Sequence, residues 1–265
     1  MELIRQVLRA VRGNVWLVFL LYGVGAALSL AFAWLLVAPL QEAVAFSGFT
    51  EELSTGFDVS LWADLADRYG ATLLAKMHHL MWLIPASALW KAGASVGMLH
   101  TLQGEGYSFW RGAVRYLLPS LLLGAIFLTI MGILSVVVAV LVVMLGQLWP
   151  GEVGQTWVRF LFAPGAVAVT ISICTVLRDV ARAAMVVGGR PFGSALYSGL
   201  VIPFRYPSVW GPFLACMGSG SIVGMSAIID IPVMQQVGLI LVAAIIVGWY
   251  GSLCAYAQQV WATKP

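Results

Sequence analysis

The stretch LLPSLLLGAIFLTIMGILSVVVAVLVVMLGQLWPG, residues 117–151, holds not one Asp, Glu, Lys, Arg or His. About 20 apolar residues suffice to cross a bilayer as an α-helix, so this run spans with turns to spare. Five further apolar runs lie near Val15–Leu40, Ala71–Leu99, Phe160–Val187, Pro207–Ile229 and Pro232–Gln258, with the opening run counted as Leu117–Trp149. In hydrocarbon the backbone must satisfy its own hydrogen bonds, and a run of this length does so as a helix. The expected fold is all-α. It is a polytopic membrane helix bundle, one domain over residues 1–265, with six transmembrane helices and cytoplasmic interfacial amphipathic helices.

Composition agrees. Hydrophobic residues make up 61% and charged residues 9%, against roughly 25% charged in a soluble domain. The charges are sorted. Arg5, Arg9, Arg12, Lys91, Arg111, Arg115, Arg178, Arg182, Arg190, Arg205 and Lys264 fall in one alternating set of segments, and only Arg68, Lys76 and Arg159 in the other. Short cytoplasmic loops retain basic residues, so both termini are expected inside and Gln41–Thr72 outside. Eight of the acidic residues, among them Glu51, Asp58 and Asp230, lie on the outer side. Basic side chains spread over several short loops suit anionic phospholipid and argue against nucleic acid. Arg5, Arg9 and Arg12 precede an apolar run too long for a secretory signal, which reads as an uncleaved first span. Cys174, Cys216 and Cys254 lie in apolar stretches and read as small buried hydrophobes.

Short outer turns at Trp149–Arg159 and Asp230–Pro232 make spans three and four, and five and six, antiparallel hairpins. Each hairpin is preceded by an amphipathic segment on the cytoplasmic side. In the first, Leu3, Ile4, Val7, Leu8 and Val11 share a helical face opposite Arg5, Arg9 and Arg12, the pattern of a surface anchor. Tyr107–Tyr116 and Arg190–Tyr206 are the others. The layout suggests a threefold hairpin repeat over 1–102, 103–188 and 189–265. In the long outer connection, Trp62, Leu65 and Tyr69 line one face of an interfacial helix.

Candidate chemistry is sparse. Ionisable residues inside hydrocarbon mark relays and active sites, yet 117–151, 160–177, 206–229 and 231–263 contain none with a carboxylate, amine, guanidinium or imidazole. The exception is Arg178-Asp179-Val180-Ala181-Arg182 at the inner end of span four. Asp179 and Arg182 stand i,i+3 on a helix and can pair, leaving Arg178 for a phosphate. The three residues are candidates for an inner mouth or a lipid-headgroup site. Read as a plain anchor, they form an interfacial ion pair, worth only about 0–1 kcal/mol.

His78, His79 and His100 all belong to span two. Adjacent helical residues point about 100° apart, so His78 and His79 do not readily chelate one ion. A single axial histidine to a pigment or metal stays open, and no cofactor is expected. Gly218-Ser219-Gly220-Ser221 lacks a neighbouring base for a serine nucleophile. Gly220 with Gly224, and Gly93 with Gly97, are instead expected to be helix-packing faces. Pro85 and Pro164 should kink spans two and four.

At Arg178-Asp179-Val180-Ala181-Arg182, followed by Arg205-Tyr206-Pro207, the chain resembles a broad group of six-span bacterial inner-membrane proteins. These are similar in layout to the membrane region attached to some glycerophosphoryl diester phosphodiesterases. The resemblance implies a membrane module that accompanies other activities, and it carries over no catalytic residue. The expected function is a non-enzymatic accessory or scaffold subunit of a larger membrane complex, with other membrane subunits as partners. The alternative is a transporter or lipid-handling permease with a cavity between kinked spans two and four.

Overall fold

The computed structural model describes residues 9–47, 80–104, 107–147, 158, 162–216 and 232–262. Their regular structure is all helical: α1 Val15–Ser47, α2 Leu80–Thr101, α3 Phe109–Gly146, α4 Ala163–Val186, α5 Phe192–Arg205 and α6 Pro232–Ala262. Short helical stretches occur at 9–13 and 210–216, the latter entered through a 3-10 turn at Pro207–Val209. Four of these segments are long and apolar enough to cross a membrane: Val15–Phe32, Phe109–Gly146, Ala163–Val186 and Gln236–Trp261. The chain is therefore built as a membrane protein. Arg5 and the start of the first amphipathic segment, the outer helix at Trp62–Tyr69, His78, His79, Gly220 and Gly224 lie outside the described residues.

The helices belong to two compact units, one made of the chain up to Phe19 and from Lys91 onward, the other of Leu20–Trp90. In the smaller unit Leu30, Trp34, Trp82 and Ile84 are exposed, as suits side chains that face lipid tails. The larger unit holds a core in which Leu17, Met98, Leu99, Leu123, Phe127, Val176, Val180, Val247 and Leu253 are fully buried.

Within that unit the end of α2 and the start of α3 form an antiparallel pair. A Cβ on Gly97 would meet the Phe109 ring at 2.8 Å, and one on Gly93 would meet Leu117 at 3.5 Å. Of the two expected packing glycines, Gly97 is the one the fold requires. At Gly93 an added methyl makes ordinary contact. Residues 92–100 are all buried, because Ala92, Gly93, Ala94, Ser95 and Gly97 are small enough to admit neighbours on every side.

Helix α3 runs for 38 residues, about 57 Å at ~1.5 Å per residue, well beyond a ~30 Å hydrocarbon core. The amphipathic segment expected at Tyr107–Tyr116 is thus no separate helix, since its helical part is the first turns of α3, continuous through Pro119. Proline removes only one donor and, flanked by packed turns, is tolerated in a membrane helix. Pro164 also departs from expectation. It occupies the first turn of α4, where proline's missing N–H is tolerated and its fixed φ suits the start of an α-helix.

α3 packs along α4, and α4 against α5. Ser120, early in α3, reaches Arg182, late in α4, while Gly146 at the end of α3 touches Val158 just before α4. The two helices are therefore antiparallel, as the short turn between them predicts. Gly189 has φ +59°, the left-handed conformation that closes a helix C-terminus. Beside it Gly188 N–H donates to the Ala183 carbonyl and Arg190 N–H to the Ala184 carbonyl, each at 3.2 Å. This turn folds α5 back onto α4. There the buried face of α5 is Ala195, Ser198, Gly199, Ile202 and Pro203, and Tyr197, Leu200 and Phe204 point outward.

Candidate functional site

Asp179 and Arg182 share a face of α4, as their i,i+3 spacing requires, but they are not at a wet surface. Asp179 is 3% exposed and Arg182 4%. Asp179 stands seven residues before the end of α4 at Val186, about 10 Å inward along the helix at ~1.5 Å per residue. The interfacial ion pair expected from sequence is in fact a buried one. Helix packing causes the difference, because α3 and α6 cover the face that positive-inside reasoning assigns to headgroups.

Three donors converge on the Asp179 carboxylate. Arg178 Nε donates to Oδ1 at 3.2 Å and Arg182 Nη1 to the same oxygen at 3.4 Å. Oδ2 accepts the indole N–H of Trp249, on α6, at 3.2 Å. Arg182 Nη2 in turn points at the Ser120 carbonyl of α3, 3.5 Å away. Gly124, one turn further along α3, leaves the guanidinium room, since even a Cβ there would stay 3.6 Å from Arg182 Nη2. The network continues into α2, where the Ala92 carbonyl accepts hydroxyl protons from Ser95 at 2.8 Å and from Ser120 at 3.2 Å. The Tyr250 phenol, next to Trp249, lies within side-chain hydrogen-bonding reach of Arg182 and of Ser95. The carboxylate thus joins α4 to α6, and through Arg182 and Ser120 the network reaches α3 and α2.

Trp249 and Tyr250 are the residues that sequence reasoning missed. They sit within the last apolar run, far from its ends, where aromatic residues with polar tips have no headgroup to reach. A Trp or Tyr placed there must find a polar partner inside the protein, and that was the available signal. An aromatic row leads outward from Trp249: Phe213 at 5.4 Å between ring centroids, then Trp210 at 6.2 Å and Phe204 at 6.4 Å. Trp210 donates its N–H to the Pro203 carbonyl at 2.8 Å, one of the acceptors that the last turn of any helix leaves unpaired.

Nearer the helix ends, Gln103 closes a second junction. Its amide donates to the Val186 carbonyl at the C-terminus of α4, at 3.1 Å, and its own carbonyl accepts from Gln258 of α6 at 3.4 Å. His100 is buried, with Nδ1 2.9 Å from the Ser108 carbonyl and its ring edge-on to Tyr107 at 4.9 Å. A carbonyl only accepts, so Nδ1 carries the proton. This bond holds the α2–α3 turn. Arg9 lies at the start of the described chain and, like Arg12, on the helical stretch 9–13. No three His, Cys, Asp or Glu side chains converge among the described residues.

No protein-family model, curated protein or solved structure matches this chain.

Proposed function

We propose that this chain is a non-catalytic, six-span subunit of a bacterial inner membrane, an accessory or scaffold component of a larger membrane assembly. In this reading both termini are cytoplasmic, and the basic interfacial segments rest on anionic lipid. The observation that carries it is the use made of Asp179. It is the one carboxylate among the described side chains, and all three of its bonds end on α4 and α6. A group that relays protons or gates a solute has to exchange partners. A carboxylate held by two guanidiniums and an indole, with α3 fastened through Arg182, is suited to hold helices in register. The outward side chains of α3, such as Leu118, Leu128, Val136 and Leu145, are apolar and exposed, surface for lipid tails and neighbouring helices.

The orientation is tested by labelling intact cells with an impermeant thiol reagent. Ser54→Cys is expected to react and Ser108→Cys, which is exposed on the protein surface, is expected to stay unlabelled. The opposite pattern reverses the topology.

The scaffold role is tested by purifying the chain from its native membrane in mild detergent. The expected result is a second membrane polypeptide at fixed stoichiometry, whose yield falls when this chain is deleted. A partner-free chain that moves solute across vesicles on its own would replace the scaffold reading with a carrier.

A further inference from the structure

Two guanidiniums surround a single carboxylate in this cluster, which leaves one formal positive charge over. Arg182 is 4% exposed, and its Nε is buried with no hydrogen-bond partner. Arg178 engages Asp179 through Nε alone, and 32% of its side chain is exposed. Its two terminal nitrogens make no hydrogen bond to the described residues. A surplus charge at this depth cannot rely on water, and an unpaired ion in low dielectric is strongly disfavoured. The fork of an arginine edge matches two oxygens of a phosphate or carboxylate.

The surface beside that fork has a direction. Pro164, Ala168, Ile171, Thr175 and Arg178 recur at helical spacing along one side of α4, exposed or half-buried in every case. The Thr175 hydroxyl is spent on the Ile171 carbonyl at 2.8 Å, so the strip leading away from Arg178 is apolar in effect. It starts in a cation nearer the inner end of α4 and runs as hydrocarbon toward the middle of the helix, which is the order of groups along a phospholipid.

We infer that the free edge of Arg178, backed by the buried charge of Arg182, is a binding site for one monoanionic phosphate group. A phosphodiester carries one negative charge and neutralises the cluster. The anion arrives either on a lipid headgroup whose chain lies along Thr175, Ile171 and Ala168, or as free phosphate. The inference does not depend on the scaffold role.

The test uses the full chain purified in a neutral detergent. It is reconstituted into nanodiscs of equal parts phosphatidylglycerol and phosphatidylcholine, then released for native mass spectrometry. Wild type is expected to retain phosphatidylglycerol roughly tenfold better than Arg178→Gln, a difference of about 1.4 kcal/mol. In that variant Asp179 keeps Arg182 and Trp249, so the fold should survive. Arg111→Gln, which removes an exposed cation elsewhere, should retain the lipid like wild type. A second arm measures the melting temperature of lipid-stripped protein in inorganic phosphate. Stabilisation of wild type alone, with equal lipid retention in both proteins, assigns the site to free phosphate. No difference between wild type and Arg178→Gln in either arm overturns the site, and so does an equal loss in Arg111→Gln. Should Arg178→Gln not fold, Arg178→Lys replaces it. There the loss of the fork is expected to lower retention severalfold, and unchanged retention overturns the proposal.

Discussion

Asp179→Asn is expected to destabilise the protein by about 3–5 kcal/mol, because removing one partner of a buried ion pair leaves the other charge uncompensated. Arg182 is the charge left behind, at 4% exposure and already short of one partner at Nε. Arg178 would join it in repulsion, and the Trp249 indole would face an amide in place of a carboxylate. The effect should appear as a large drop in the denaturant midpoint of the purified protein in detergent. A double variant, Asp179→Asn with Arg182→Met, should recover much of the loss, since it leaves no deeply buried cation to pair. A single Asp179→Asn variant within about 1 kcal/mol of wild type would return the cluster to the surface-pair class.

Gly199 carries the second large effect. A Cβ there would lie 2.6 Å from the Ala181 Cβ and 2.6 Å from the Leu177 carbonyl oxygen. Neither neighbour can give way, one being backbone and the other a short side chain fixed to a packed helix. Gly199→Ala should therefore cost about 1–3 kcal/mol as overpacking, and Gly199→Leu should lift α5 off α4. Gly193, on the same helix, has nothing within 4 Å of an added Cβ. Gly193→Ala should be neutral or stabilising, because alanine is favoured over glycine in a helix by about 1 kcal/mol. Limited proteolysis at the 187–191 turn and thermal unfolding both read the contrast. Equal behaviour of the two alanine variants would mean that α5 does not press on α4.

The two substitutions differ in how visible they were beforehand. The pairing of Asp179 with Arg182 is a matter of helical spacing and could be read directly. Its burial is not legible there, since it depends on α3 and α6 covering α4, and burial is what raises the cost of breaking the pair. Gly199 stands four residues after Ala195, a small-residue spacing that by itself does not say how close a partner comes. It sits in a segment that reads as an interfacial amphipathic helix, with Tyr197 and Leu200 among its large residues, whereas the buried face is Ala195, Ser198 and Gly199. In a membrane the usual pattern inverts: bulky apolar side chains are content in lipid, and small ones let helices touch. Gly97 follows the same rule, with the Phe109 ring where its Cβ would lie. Gly93 shares the spacing but meets only ordinary contacts, because small-residue spacing does not say how close the partner comes.

What the sequence determines by itself is the solvent this protein lives in and the helical answer to it. Apolar runs such as 117–151 leave the backbone no partner but itself, and that constraint is local, so it can be read one segment at a time. Which faces of those helices meet is not local. Trp249 meets Asp179 across 70 residues of chain, and Ser120 meets Arg182 across 62. In lipid no difference in hydrophobicity marks the inner face of a helix, so the choice falls to close packing and a few polar bonds. Only the tertiary structure shows that these bonds turn a row of charges near a helix end into a buried junction with one cation to spare.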